Sequence, residues 1–210
     1  MSRAGRDLLL KAARGERAGA TRKRLLDAGL KLISSKGYLG ATTKDIAKKA
    51  GVAELTLFRH FSSKEQLFQE IINSYTFLPA LKGLMPEIKE LDYRDALLLI
   101  AEKFLGRLSE RRDLIRIMHS EMHLYPARVK DIYHNFVGEV YKTLASYFKD
   151  LQDSGILRDF DPEYGARAFL GMFFSYFTVR ELVLKERSKP SDEQKAITEF
   201  VDIFVKGSAA

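Results

Sequence analysis

Two groups of side chains have the type and spacing to do chemistry. The first lies in Thr42–Phe61, TTKDIAKKAGVAELTLFRHF. Val52, Leu57 and Phe61 give this stretch an apolar face, and Glu54, Leu55, Thr56, Arg59 and His60 fall largely on other faces, open to an outside partner. The second group is His119 and His123, whose i, i+4 spacing suits a metal ion. Glu121 lies between them on a different face, so HSEMH lacks the order of the HExxH zinc-protease motif. Ordinary structural or surface histidines are the expectation, even with His134 as a possible third ligand. The chain has no cysteine, which excludes disulfides, iron–sulfur clusters and thiolate zinc sites. It has no P-loop, no G-x-G-x-x-G, no G-x-S-x-G and no thiol nucleophile. No enzymatic activity, cofactor or metal is expected.

The charge is uneven. Residues 1–70 carry 15 Lys and Arg against 7 Asp and Glu, a net +8, whereas residues 71–210 carry 20 against 21, a net −1. A basic module joined to a near-neutral one suggests a polyanion-binding end and an end with another task. A solvated basic arm is the plainer alternative. No leader-like or membrane-spanning apolar run is found: the longest charge-free stretch near the C-terminus, Ala168–Val179, has twelve residues. As a helix it would rise about 18 Å, against a hydrocarbon core of about 30 Å. A cytoplasmic protein with no membrane partner is expected.

The elements that must position these residues read as helices throughout. Residues 1–20 are basic and small and suggest a flexible arm, with a helical turn near Leu8–Ala13. Leu25, Ala28, Gly29 and Leu32 mark an apolar stripe, and Gly37 stops that helix. Thr42-x-x-Asp45 opens a short helix that Gly51 ends. Ala53–Phe61 forms a third, and Ser62-x-x-Glu65 caps a fourth carrying Leu67, Phe68, Ile71 and Ile72. Pro79, Gly83 and Pro86 then interrupt the chain. Further helices are expected over 92–109, 113–123, 126–153 and 161–186, the last with Asp161 as N-cap and Pro162 at its first position. Ser191-x-x-Gln194 caps the final helix, which Gly207 ends. About nine helices and no strands make an all-α chain. The domains expected are an arm over 1–20, a helix-turn-helix domain over 21–68 and a larger helical domain over 69–210.

Two short helices joined at Gly51, with small Ala47 at their crossing, form a helix-turn-helix. Thr42-Thr43, Asp45-Ile46-Ala47, Ala50-Gly51-Val52, Thr56-Leu57-Phe58-Arg59-His60-Phe61 and Ser63-Lys64-Glu65-Gln66-Leu67 together resemble the DNA-binding domain of TetR-family transcriptional regulators. The detailed match covers about Thr21–Phe68. It implies an N-terminal three-helix DNA-binding domain followed by a helical ligand-binding and dimerisation domain.

The resemblance also implies roles residue by residue. Thr43 matches a helix-start hydroxyl used on phosphate, with Lys44 after it, and a helix N-terminus does favour an anion. Glu54, Leu55 and Thr56 match the start of the recognition helix, facing base edges. There a carboxylate suits a cytosine amino group and Leu55 a thymine methyl. Phe58 stands where Tyr is frequent, so it keeps the packing and loses the phosphate-reaching hydroxyl. His60 and Lys64 match phosphate contacts, and Arg59 lies beside them. Ala53 replaces a Ser or Thr cap.

In the C-terminal part, Ala168–Val179 is apolar nearly all round, which implies burial on two sides. The last helix adds Ile197, Phe200, Val201 and Phe204. With Phe174 and Phe177 these form the expected homodimer interface, a two-fold arrangement that the resemblance also implies. Phe104, Met118, Met122, Tyr133, Phe136, Val137, Tyr141, Phe169, Met172, Phe173 and Tyr176 exceed the aromatic and Met content of a small helical core. They are the candidate pocket for a small-molecule effector, an apolar or aromatic compound. For any single one, plain core packing is the competing reading. The function so implied is a ligand-responsive repressor that binds double-stranded operator DNA. An enzyme bundle and an architectural DNA-coating protein are the alternatives. The first lacks a catalytic motif, and the second needs no aromatic interior.

Overall fold

In a computed structural model, residues 3–75, 77–113, 115, 127–186 and 189–210 are described, with side chains for 15–74, 77–113, 115, 137–186 and 189–210. The helices are α1 (Arg3–Gly40), α2 (Thr43–Ala50), α3 (Glu54–His60), α4 (Lys64–Tyr75), α5 (Phe77–Ile88), α6 (Tyr93–Glu110), α7 (Ala127–Asp153), α8 (Pro162–Phe177) and α9 (Pro190–Ser208), with a π-helical turn at Thr178–Val183 between the last two. No strand occurs among the described residues, which bears out the all-α expectation. Residues of Met1–Ile72 belong to one compact unit, and those of Asn73–Arg116 and Lys130–Ala210 to a second.

In the first unit, α1 starts at Arg3, so the stretch expected as a flexible arm with one helical turn is helical from Arg3 onward. The helix breaks at Gly37, where φ is 76°. Leu25, Ile33, Ile46, Ala47, Leu57, Phe61, Leu67, Phe68 and Ile71 from α1 to α4 close one apolar core. The short helices α2 and α3 would be marginal alone, and this burial supplies what their length cannot.

Local signals explain the boundaries. Thr42 caps α2 by accepting from the Asp45 N–H at 3.1 Å. Gly51 sits at φ 69°, ψ 38°, in the left-handed region where a side chain would be strained, and its N–H returns to the carbonyls of Ala47 and Lys48. The cap of α4 is shifted by one residue from the expected Ser62-x-x-Glu65. Ser63 Oγ accepts from the Gln66 N–H at 3.2 Å, while Gln66 Oε1 accepts from the Ser62 N–H at 2.5 Å. The pattern is close to a capping box, with the Gln66 side chain reaching the residue before the capping serine.

In the second unit the expected interruption at Pro79, Gly83 and Pro86 is a continuous helix, α5. Pro79 falls in the first turn, where no N–H partner is needed, and Phe77, Leu81, Leu84 and Ile88 bury one face that holds the helix through Pro86. Asp161 caps α8 by accepting from the N–H groups of Glu163 and Tyr164, as expected. Gly165 allows the close approach of α8 to Phe160, whose ring edge a Cβ would strike. The α-helix expected to run on to Glu186 widens instead into the π turn, where the Leu184 N–H bonds the Val179 carbonyl at 2.9 Å and Lys185 follows at φ 57°. The N-cap of α9 is Lys189, with Pro190 at the first turn, and not Ser191.

The second core is an aromatic cluster. Phe169 lies 5.2 Å from Phe173 and 5.1 Å from Phe204, and Phe173 lies 5.6 Å from Phe200. Phe148 stacks on Phe204, and Phe104 meets Phe77 at 4.9 Å. Phe104, Phe169 and Phe173, expected to line a pocket, each meet another ring. Val137, Tyr141, Met172 and Tyr176 are half-buried. Met118, Met122, His119, His123 and the side chains of Tyr133, Phe136 and His134 lie outside the described residues, as does most of the helix expected over 113–123. Of the residues expected at the homodimer interface, some lie in the chain's own core. Phe177, Ile197 and Val201 are buried within the single chain, because α8 and α9 turn these faces toward their own core. Phe174, Phe200 and Phe204 are half-buried, and Tyr164, Val179, Val183, Leu184 and Ile203 are among the exposed apolar groups of this unit.

Candidate nucleic-acid interface

The outer surface of α3 is built by subtraction. Leu57, fully buried, and Phe61 anchor the helix on the core, which fixes the direction of the remaining side chains. Leu55 is 64% and Phe58 45% exposed, and Arg59 is exposed beside them. Glu54, Thr56 and His60 are half-buried, and none of the three is closed off from solvent. Ala53 starts the helix in extended geometry and provides no side-chain cap.

At the start of α2, Lys44 is exposed and Thr43 half-buried. The Thr43 hydroxyl donates to Glu54 Oε1 at 2.6 Å, so the first residues of α2 and α3 are joined directly. Lys64, at the first position of α4, holds its ammonium 4.4 Å from the centre of the Tyr38 ring and donates to the Leu39 carbonyl at 3.5 Å. Burial pushes its pKa down, against the charge of Glu65, which raises it. The Tyr38 ring in turn meets Phe68 at 5.0 Å.

Some of the scaffold carries no distinctive sequence signal. Arg22 on α1 pairs with Glu70 at 2.7 Å and lies over the Phe61 ring at 5.3 Å, tying α1 to α4 and to the end of α3. Its place on the polar edge of the α1 stripe is the only hint, and any basic residue there would give the same one. Gln66 was legible in the pattern Ser63-x-x-Gln66.

A family profile described as bacterial regulatory proteins, tetR family, matches residues 25–71. A second, described as AefR-like transcriptional repressor, C-terminal domain, matches residues 95–207, more than half of the chain. The chain belongs to the TetR family. It is a helix-turn-helix DNA-binding regulator of transcription, and its relatives are regulators rather than enzymes. Among them, the HTH-type transcriptional regulator YvkB of Bacillus subtilis is 31% identical over 193 residues, covering 90% of this chain and 98% of that one. The HTH-type transcriptional repressor KstR2 of Rhodococcus jostii is 30% identical over 132 residues, 62% of this chain and 60% of its own length. Among solved TetR-like folds, the transcriptional regulator FadR of Bacillus subtilis in complex with stearoyl-CoA superposes with a TM-score of 0.71 at 18% identity, covering 88% of this chain and 98% of that one. The flavonoid-responsive regulator FrrA superposes with a TM-score of 0.67 at 22% identity, covering 91% and 98%. At these identities the two structures speak for the fold alone.

Among the described residues no helix is long and apolar enough to cross a membrane. No group of three or more His, Asp or Glu that could hold a metal ion is found among them either.

Proposed function

We propose that this TetR-family chain is a homodimeric, cytoplasmic repressor that binds an operator through α3 and leaves it when a small apolar or aromatic molecule binds the helical C-terminal domain. The observation that carries the reading is the outer face of α3. Leu55 and Phe58 remain exposed at a cost in apolar surface, on the unit that holds the chain's whole positive excess. Lys44, Arg59, His60 and Lys64 contribute the phosphate-binding rim, and Leu55, Thr56 and Glu54 face the bases, Leu55 against a thymine methyl.

The exposed apolar groups Tyr164, Val179, Val183 and Ile203 support a second copy as the partner of α8, the π turn and α9. An isologous pair presents α3 twice about a two-fold axis, which suits a palindromic site. The ligand acts only through its unequal affinity for the DNA-competent and released arrangements, and about 1.4 kcal/mol of that difference is tenfold in operator affinity.

The test is a mobility shift of the full chain on random and on self-upstream DNA at two salt concentrations, followed by release with a small-molecule panel. A repressor shows one preferred site and a salt slope of about −0.9 for each phosphate neutralised. Equal affinity for every sequence would establish the architectural alternative, and a monomer at micromolar concentration in sedimentation would remove the two-fold arrangement.

A further inference from the structure

The bond between Thr43 and Glu54 changes what each can offer to DNA. A threonine hydroxyl has one proton to donate, and a phosphate oxygen only accepts. With that proton committed to Glu54 Oε1 at 2.6 Å, the Thr43 side chain has no donor left for a phosphate. The short distance is that of a charge-assisted O–H···O bond. It fixes a flexible carboxylate at the first residue of α3, beside Leu55 and Thr56. The second carboxylate oxygen retains its acceptor capacity.

A carboxylate in the major groove is selective because most base edges repel it. Guanine presents N7 and O6 and thymine presents O4, all acceptors. Adenine offers an amino group but sets the N7 acceptor beside it. Cytosine alone presents an N4 amino donor with no acceptor on the same base edge. Held in one place, a carboxylate rejects three bases and accepts the fourth, so its repulsions specify as much as its one attraction. Thr43 also supplies a hydrogen-bond donor that offsets part of the cost of a negative charge near the phosphate backbone.

We propose that Thr43 and Glu54 act as one reading unit, in which Glu54 selects cytosine at a fixed place in each operator half-site and Thr43 is a positioning residue for Glu54 instead of a phosphate contact. The proposal rests on the operator-binding reading above and goes beyond it by making the choice of cytosine depend on the Thr43–Glu54 bond, in place of the phosphate role that the resemblance implies for Thr43.

The test is selection from a random double-stranded DNA library with the full chain and with Glu54→Ala, Glu54→Gln, Thr43→Val and Thr43→Ser. Each is followed by competition with sites changed at single positions, and by salt-dependence measurements. The wild type should enrich sites with cytosine at one place per half-site and lose about 5- to 150-fold in affinity when it is changed. Glu54→Ala should abolish that discrimination, and Glu54→Gln should extend acceptance to adenine, whose N6–N7 edge an amide matches. Thr43→Val should weaken discrimination at the same position only, and Thr43→Ser should restore it, since serine keeps the hydroxyl. Unchanged discrimination in Glu54→Ala would overturn the inference while leaving the regulator reading intact. So would a Thr43→Val protein that binds every sequence more weakly with its preferences preserved. A wild-type chain that enriches no sequence at all would overturn both.

Discussion

Arg112, just beyond the end of α6, donates to Glu181 in the π turn at 2.6 Å, and the Glu181 side chain is 8% exposed against 30% for Arg112. A carboxylate this deep depends on its cation more than a surface pair would. Arg112→Ala should cost about 2–3 kcal/mol in urea unfolding, below the range for a fully enclosed pair because Arg112 is partly open. Exchanging both partners for apolar groups, Arg112→Met with Glu181→Leu, should recover most of that loss. A double variant as unstable as the single would show that the ion pair was not the source.

Nearby, burial first and the charge of Glu181 second hold the Glu193 carboxyl above its usual range. Between the ordinary glutamate value and the raised one, the folded chain keeps a proton there that the unfolded chain has already released. Stability falls as pH rises from the ordinary glutamate value through the raised one. Glu193→Gln should melt higher than the wild type at pH 7, and the gap should close on acidification below about pH 4. Paired thermal scans from pH 4 to 8 give the answer directly.

Ala53 leaves the first turn of α3 without a side-chain acceptor. A serine there can accept from an N–H two or three residues on. Ala53→Ser should stabilise the protein by about 0.5–2 kcal/mol, measured as a rise in the denaturant midpoint at unchanged slope.

Phe58 is 45% exposed on the outer face of α3. Adding a phenolic hydroxyl extends its reach by one donor without disturbing the core. Phe58→Tyr should bind all DNA sequences about 2- to 10-fold more tightly, the worth of one net hydrogen bond, with sequence preferences unaltered. A changed preference would instead put this ring on a base.

The helix-turn-helix was readable because each of its signals is local: a hydroxyl at Thr42, a left-handed glycine at Gly51 and apolar groups three and four apart. The link from Thr43 to Glu54 was not, since it spans a turn and both residues had separate readings that made sense alone. Pro79 and Pro86 misled for a related reason. Proline's missing N–H argues for a break wherever the residue's position in the turn is unknown, and only the burial of Phe77, Leu81, Leu84 and Ile88 shows that the helix continues. The aromatic surplus pointed correctly to a ring-rich interior. Counting rings does not say whether they enclose a space or each other, and Phe169 and Phe173 meet other rings. The buried face of α8 was ambiguous because a helix apolar nearly all round gives no phase.

The last turn of α9 is fastened to the bend after α7. The Arg158 N–H donates to the Ser208 carbonyl at 3.0 Å, the Ala210 N–H donates to the Ile156 carbonyl at 3.1 Å, and Tyr93 shares a 2.7 Å hydrogen bond with Ser208. Three stretches distant in sequence are thereby knotted at one spot, so none can fray independently. Amide deuteration should proceed there in step across all three, and clipping the final few residues would loosen a bend that lies some fifty positions upstream.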